Sequence, residues 1–186
     1  MKKVLLLVCT MFFGTANANM INIELDNVNP SVGDTVSVNI NLTGVTEDFS
    51  SAFTGFLFDN SLFEFVGGSV SSDFPLAADI FDVGLFVDDS EAASNGLLSI
   101  TLYEDFFAPV TYGAGDYLFA SFDMLAIGEG QSSFSLDLAA LLAPNLGPET
   151  ALDTSASGTS IAVPAPGAMA FMGLAVLGFL GVRRKA

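Results

Sequence analysis

Apolar and polar residues alternate in short runs along the middle of this chain. From Thr35 to Leu42, the even positions are apolar and the odd positions are threonine, serine or asparagine. Because successive side chains of a β-strand point to opposite faces, this pattern predicts a strand with one buried face. The same alternation predicts further strands at Ile21/Ile23/Leu25, Leu98/Ile100/Leu102, Leu118/Ala120/Phe122/Met124 and Phe134/Leu136/Leu138.

Two segments are more densely apolar than these runs. They are Phe53 to Phe58 and Leu62 to Val66, and we expect both to be central strands. Clusters of turn-forming residues separate the runs, as at 27–34 and 128–130. Ala139 to Leu142 are predicted to form a single helical turn. Many short strands without a long amphipathic helix predict an all-β antiparallel β-sandwich.

The charges of the chain are separated by sign. All 21 acidic residues lie between Glu24 and Asp153, and the five basic residues lie at the two ends of the sequence. Such a surface repels phosphate backbones, so we expect no nucleic acid partner. The chain has no histidine, and its middle has no lysine or arginine, which removes most nucleophile–base pairs and phosphate clamps. A two-carboxylate glycosidase remains as an alternative, but we predict a protein without catalytic residues.

Residues 1–18 have the composition of a secretory signal peptide. A basic start and an apolar run precede a small-residue cleavage box with Ala16 and Ala18 at its ends. We expect export by the Sec machinery and cleavage by signal peptidase, which leaves Asn19 as the first residue. A lipoprotein signal with Cys9 as the lipidated residue is the alternative, although the residue before it is not small. Loss of Cys9 would leave a mature chain without disulfides.

The C-terminal end has three parts. They are the motif Val163-Pro164-Ala165-Pro166, a stretch without charges from Gly167 to Val182, and the basic tail Arg183-Arg184-Lys185-Ala186. At a rise of about 1.5 Å per residue, the uncharged stretch forms a helix of about 24 Å, slightly shorter than a bilayer core of about 30 Å. We predict a transmembrane helix whose basic tail stays in the cytoplasm.

This tail resembles the PEP-CTERM sorting signal, with Ala165 in place of the glutamate of the family. The resemblance implies recognition and cleavage by an exosortase, a membrane-embedded transpeptidase-like enzyme of Gram-negative bacteria that make exopolysaccharide. It implies an intermediate anchored in the inner membrane and a product at the cell surface or in the extracellular matrix. A permanent membrane anchor is the alternative.

Segments of the middle resemble a cohesin-type module. They are Val28 to Val38 with its Gly-Asp corner, Gly55 to Asp59, Leu62 to Val66, and Leu118 to Ala126 followed by Gly128 and Gly130. The resemblance implies a jelly-roll sandwich of about nine strands, whose first strand lies beside a last strand near Thr159 to Val163. The expected organisation is a signal peptide at 1–18, a sandwich at 19–153, a linker or last strand at 154–162, and the sorting signal at 163–186, with its helix at 167–182.

Two groups of side chains are candidates for binding. Five acidic residues in a loop-rich stretch form a candidate calcium site, since carboxylate oxygens suit this cation; an acidic, solvated loop is the alternative. They are Asp79, Asp82, Asp88, Asp89 and Glu91. The three tyrosines are the candidate ligand-binding rings for a carbohydrate, and they are Tyr103, Tyr112 and Tyr117.

The sequence thus predicts an exported, non-enzymatic binding or structural module that an exosortase delivers to the cell surface or the biofilm matrix. Its partner would be an exopolysaccharide or a surface protein. Two alternatives follow from the same features: a cohesin module that recognises a dockerin-like protein, and a carbohydrate-binding β-sandwich. Apart from the candidate calcium, we expect no cofactor.

Overall fold

The computed structural model describes residues 19–79, 82–105, 107–108, 110–143, 147–155 and 158–164. These residues form strands and one short helix. The strands are β1 (Met20–Leu25), β2 (Thr35–Val45), β3 (Ser51–Leu57), β4 (Phe63–Phe65), β5 (Gly84–Asp88), β6 (Leu97–Tyr103), β7 (Gly115–Ala126), β8 (Gly130–Leu142), β9 (Glu149–Ala151) and β10 (Thr159–Val163), and the helix is α1 (Ala92–Asn95).

The strands form two sheets. The smaller sheet has the order β1-β2-β7-β4, and the larger sheet has the order β10-β8-β3-β6-β5, with β9 also paired to β8. All pairings between these strands are antiparallel. The predicted all-β fold with antiparallel sheets is therefore confirmed.

The core lies between the two sheets and is rich in phenylalanine. Phe56 of β3 contacts Phe122 of β7 edge to face, with ring centroids 5.1 Å apart. Phe134 of β8 lies 5.2 Å from Phe56 and 4.9 Å from Phe63 of β4. All four rings are almost completely buried. Rings from both sheets thus interlock in the core.

The alternation in β2 predicted its burial correctly. Val36, Val38, Ile40 and Leu42 are completely buried, and the residues between them are partly exposed. The prediction for the end of β8 is wrong. Leu138 has a φ of 42° and is 76% exposed, because the pairing of β8 with β3 shifts there. The segment from Ala139 to Leu142 continues β8 and is not a helical turn.

The position of one predicted strand is also wrong, and the helical turn lies elsewhere in the chain. β4 has only three residues and lies at an edge of the smaller sheet, so the segment from Leu62 to Val66 is not a central strand. The helical turn is α1, which ends at Gly96 with a φ of 65°. A Cβ atom on Gly96 would lie 2.0 Å from the carbonyl oxygen of Phe58, so only glycine fits.

The first and last strands belong to different sheets, whereas the resemblance implied that they lie together. β1 pairs with β2, and β10 pairs with β8. Backbone hydrogen bonds nevertheless connect each of these two edge strands to a neighbouring loop. The amide of Ile21 donates to the carbonyl of Asp153, and the amide of Ala162 donates to the carbonyl of Val28. These bonds occupy backbone groups that an edge strand would otherwise expose.

The chain enters and leaves the sandwich at opposite ends. Met20 pairs with Thr43 near one end, and Val163 pairs with Gly130 at the other. We call the second the C-terminal end; it consists of the β1–β2 loop (26–34), the β7–β8 turn (127–129) and residues 163–164. In the described part of the chain, no helix is long and apolar enough to cross a membrane. The predicted signal peptide and transmembrane helix lie outside the described residues.

Candidate functional site

The outer face of the larger sheet is apolar over β3, β6 and β5, whereas the outward side chains of β8 and β10 are mostly serine, glutamine and aspartate. Cross-strand pairing places Phe53 of β3, Thr101 of β6 and Phe86 of β5 in one row across three strands. Leu57 and Leu97 pair in a second row. These five side chains are partly exposed, whereas their neighbours along each strand point into the core. A sandwich that stood alone in water would more often carry polar side chains on this outer face.

Gly55 lets the apolar surface continue between the two rows. A Cβ atom at this position would lie 3.2 Å from Cδ1 of Leu97, so the leucine side chain lies close over the glycine. Asp137 of β8 pairs with Gly55 and is exposed. Asp88 is paired with Ser99 at the β5 edge of the sheet. The row between the two apolar rows therefore has acidic side chains at both ends and the exposed Ser99 beside Gly55.

A groove of about 310 Å³ extends this face toward the end of the sandwich where β1 begins. Phe53, Tyr103 and Leu142 are among the side chains that line it. The Ser50 hydroxyl donates a hydrogen bond to the carboxylate of Glu104 at the edge of the groove. The groove therefore offers an apolar floor with one carboxylate at its side.

The outer face of the smaller sheet is polar. Ser37 donates a hydrogen bond to Asp123 across the β2–β7 pair at 2.8 Å. Oδ1 of Asn22, next to Asn41 on β2, is buried, and it has no hydrogen-bond partner in the described part of the chain. The polar side chains at these outward positions are Asn22, Glu24, Ser37, Asn39, Asn41, Glu64, Ser121 and Asp123. This face, on which Leu125 is an apolar exception, thus differs in polarity from the β3, β6 and β5 part of the larger sheet.

The sequence could have indicated the apolar face, but the prediction missed it. Phe53 and Phe56 are three residues apart in one strand, so they must point to opposite faces. The segment from Phe53 to Phe58 was expected to be a central strand, without a distinction between its two faces. Because alternate residues of β3 face opposite sides, Phe56 is buried and Phe53 is partly exposed.

Three of the five predicted calcium ligands accept hydrogen bonds from their own loops. The pKa of Asp88 is held below its ordinary value by hydrogen bonds from the backbone amide and the side chain of Ser90. Asp82 accepts from the amide of Ala78, and Glu91 accepts from the side chain of Asn95. Among the described residues, no three carboxylates converge on a position from which they could hold a metal. Calcium binding by Asp79, Asp82, Asp88, Asp89 and Glu91 stays a prediction.

Two of the candidate tyrosines are part of an aromatic cluster. Tyr112 and Tyr117 lie 4.8 and 5.4 Å from the ring of Phe74, and both contact Phe49. The pKa of Tyr112 is raised by burial and, to a smaller extent, by Tyr117. Tyr103 instead lies at the groove of the larger sheet. Carbohydrate binding by these rings stays a prediction.

Only the start of the sorting motif lies in the described part of the chain. Val163 is the last residue of β10 and is 2% exposed, and Pro164 follows it at the surface. The other predicted sorting and processing residues lie outside the described residues; they are Ala16, Ala18, Ala165, Pro166, Arg183, Arg184 and Lys185.

Two family models match this chain. The model of the cohesin domain matches residues 21–130, and the model of the PEP-CTERM protein-sorting motif matches residues 162–185. The first match covers more than half of the chain and includes β1 through β7. No curated protein matches the chain.

Solved cohesin structures have the same fold. A type II cohesin domain from the cellulosome of Acetivibrio cellulolyticus is 20% identical, with a TM-score of 0.56 over 77% of this chain and 95% of that one. A cohesin module from a Clostridium perfringens family 33 glycoside hydrolase is 14% identical, with a TM-score of 0.56 over 80% and 98%. The sixth cohesin from scaffoldin B of Acetivibrio cellulolyticus, in complex with a mutant Cel5 dockerin, is 17% identical, with a TM-score of 0.55 over 77% and 99%.

Proposed function

The chain belongs to the cohesin domain family, and we propose that its sandwich binds a partner protein through the outer face of the larger sheet. Cohesin modules are non-enzymatic binding domains. The observation that carries the proposal is the partly exposed apolar surface of Phe53, Leu57, Phe86 and Leu97, which lies on the outer face of β3, β6 and β5. An apolar centre with a polar rim is typical of a protein interface.

The size of this face fits a protein partner. Its apolar part covers three strands at about 4.8 Å and seven residues at about 3.3 Å, which gives roughly 14 by 23 Å, or about 330 Å². A standard interface buries about 800 Å² on each partner, so the flanking loops and the groove would contribute the remainder. The similar cohesin from Acetivibrio cellulolyticus was solved with a dockerin. A dockerin-like protein or another surface protein is therefore the partner class that we propose.

The C-terminal motif indicates a secreted protein that is processed at a membrane, with an exosortase as a partner. We propose that Sec-dependent export and signal peptide cleavage precede this step. The transmembrane helix 167–182 would hold the intermediate in the inner membrane, and cleavage would deliver residues 19 to about 163 to the cell surface or the exopolysaccharide matrix. With 21 acidic and no basic side chains in this part, nucleic acid is not among the proposed partners.

Crosslinking from the two faces tests the binding proposal. A photoreactive side chain is placed at Thr101 on the apolar face or at Asn39 on the polar face of the full chain in its own host. We expect one protein to be crosslinked from Thr101 and not from Asn39. That protein, purified separately, should bind the native chain, and Phe53→Ser should weaken the binding at least about tenfold, the equivalent of about 1.4 kcal/mol. Equal crosslinking from both positions would contradict the proposal.

One observation favours a second candidate function on the other face. The buried Oδ1 of Asn22 lacks a hydrogen-bond partner within the described residues, and Asn39 and Asn41 lie beside it on β2. Amides both donate and accept, as the hydroxyl groups of neutral glycans do. Affinity electrophoresis in gels with neutral polysaccharides tests this function. Retardation that Asn22→Ala abolishes would support it, and migration unaffected by every polymer would exclude it.

A further inference from the structure

The sorting motif starts inside the folded domain. Its family match begins at residue 162, whereas β10 continues to Val163. Val163 is 2% exposed and pairs with Gly130, and Ala162 donates its amide to the carbonyl of Val28. The first two residues of the matched motif are therefore held by the sandwich. An enzyme that recognises this motif meets a folded surface at its N-terminal side.

The connection between the sandwich and the uncharged C-terminal stretch is short. Only residues 164–167 separate Val163 from Ala168, and the sequence from Ala168 to Val182 contains no charged residue. Four extended residues span at most about 14 Å. A membrane-embedded enzyme acting on this connection thus works within about 14 Å of the C-terminal end of the domain.

The C-terminal end presents exposed apolar side chains. The β1–β2 loop crosses it from β10 to β7, because Val28 bonds to Ala162 and the amide of Gly33 donates to the carbonyl of Ala126 at 2.8 Å. Val28, Val32 and Ile127 are 43%, 44% and 43% exposed. Val28 and Val32 belong to the loop and Ile127 to the turn at the end where the chain leaves the domain, and Ile127 also lines a groove with Phe58 and Phe65.

We propose that Val28, Val32 and Ile127 form a docking surface for the exosortase. The inference rests on the proposed processing of this chain. A protein fits this surface better than the bilayer does, because Asp26, Asp34 and Glu129 belong to the same loop and turn. Anionic headgroups would repel these carboxylates, whereas a protein surface can carry complementary groups.

Processing in the host tests the proposal. In pulse-chase experiments, the full chain is followed from the precursor with its basic tail to the shortened product. The variant Val28→Ser/Val32→Ser/Ile127→Ser should be processed at least about fivefold more slowly, since polar side chains weaken an apolar contact. The control Val83→Ser/Val110→Ser removes valines that are 47% and 53% exposed in other loops, and it should keep the native rate.

A longer connection distinguishes docking from effects on folding. About ten flexible Gly/Ser residues and a second Ala-Val copy are inserted between Val163 and Pro164, so that the motif reaches the enzyme without the domain. In this chain, the triple serine substitution should no longer slow processing. A delay that persists with the insertion would overturn docking, as would equal rates for the triple variant and its control. A native chain that keeps its tail would instead refute the proposed processing itself.

Discussion

Phe53 and Phe56 provide a direct test of the two faces of β3. We compare Phe56→Ala, at the centre of the core, with Phe53→Ala, on the outer face. Phe56 is completely buried, and its ring lies 5.1 to 6.0 Å from the rings of Phe122, Phe134 and Phe58. Phe53 is partly exposed and pairs across the strands with a threonine.

The expected losses of stability differ by a factor of about four. Truncation of a buried phenylalanine costs about 3–5 kcal/mol, and the three ring contacts place Phe56→Ala near about 4 kcal/mol. Phe53→Ala removes mainly cross-strand contacts, which contribute up to about 1 kcal/mol. At about 3 °C per kcal/mol for a domain of this size, the melting temperatures should fall by about 12 °C and about 3 °C.

Urea denaturation followed by circular dichroism measures the loss of unfolding free energy in both variants. The slopes of the unfolding curves should stay equal, so that the midpoints report stability alone. Phe53→Ala should at the same time lose the crosslinked partner, whereas Phe56→Leu should fold and keep it. If Phe53→Ala destabilises the domain as much as Phe56→Ala, the outer face is part of a core, and the binding proposal loses its basis.

Three further experiments test single features. Gly96→Ala should destabilise the domain by more than about 2 kcal/mol, because its Cβ would clash with the Phe58 carbonyl. The control Gly67→Ala, whose Cβ meets open space, should change the stability little. Equal melting temperatures of the two variants would contradict the cap geometry. Hydrogen bonds from the hydroxyl and the amide of Ser61 hold the pKa of Asp59 below 3.8, so their contribution to stability is complete above pH 3.8 and is lost as the pH falls through the pKa of the folded state. Asp59→Asn should therefore reduce the loss of stability in acid. If the loss is unchanged in this variant, other carboxylates cause it. Millimolar calcium should raise the melting temperature more than sodium of equal ionic strength if the acidic loop binds it, and equal shifts would indicate screening alone.

Strands with one buried face were predictable from the sequence because their burial follows their alternation. β2 keeps this pattern over eight residues, and its four apolar side chains are completely buried. The alternation at the end of β8 failed as a guide because the backbone is irregular at Leu138, which exposes a leucine expected inside. A local shift of register reverses the faces of all residues beyond it, and no composition signal marks it.

The candidate site was harder to predict for a different reason. Its rows combine residues from three strands, as in Phe53, Thr101 and Phe86, and the sequence alone does not give the pairing of β3, β6 and β5. The acidic loop was the more visible pattern, but its carboxylates do not converge within the described residues. Charge density can be read along the chain, whereas an apolar surface requires the strand order.

The attachment of the C-terminus to β10 also determines how the domain carries mechanical load. β10 runs toward the C-terminal end and pairs with β8 through five residue pairs, from Thr159 to Val163. A pull on the chain beyond Pro164 acts along this strand, while its ladder hydrogen bonds lie across it. The pull therefore shears all the pairs together and must also extract Ile161 and Val163 from the core. If the domain is held at its C-terminal side and binds a partner through β3, β6 and β5, the force between the two attachment points loads β10 in shear.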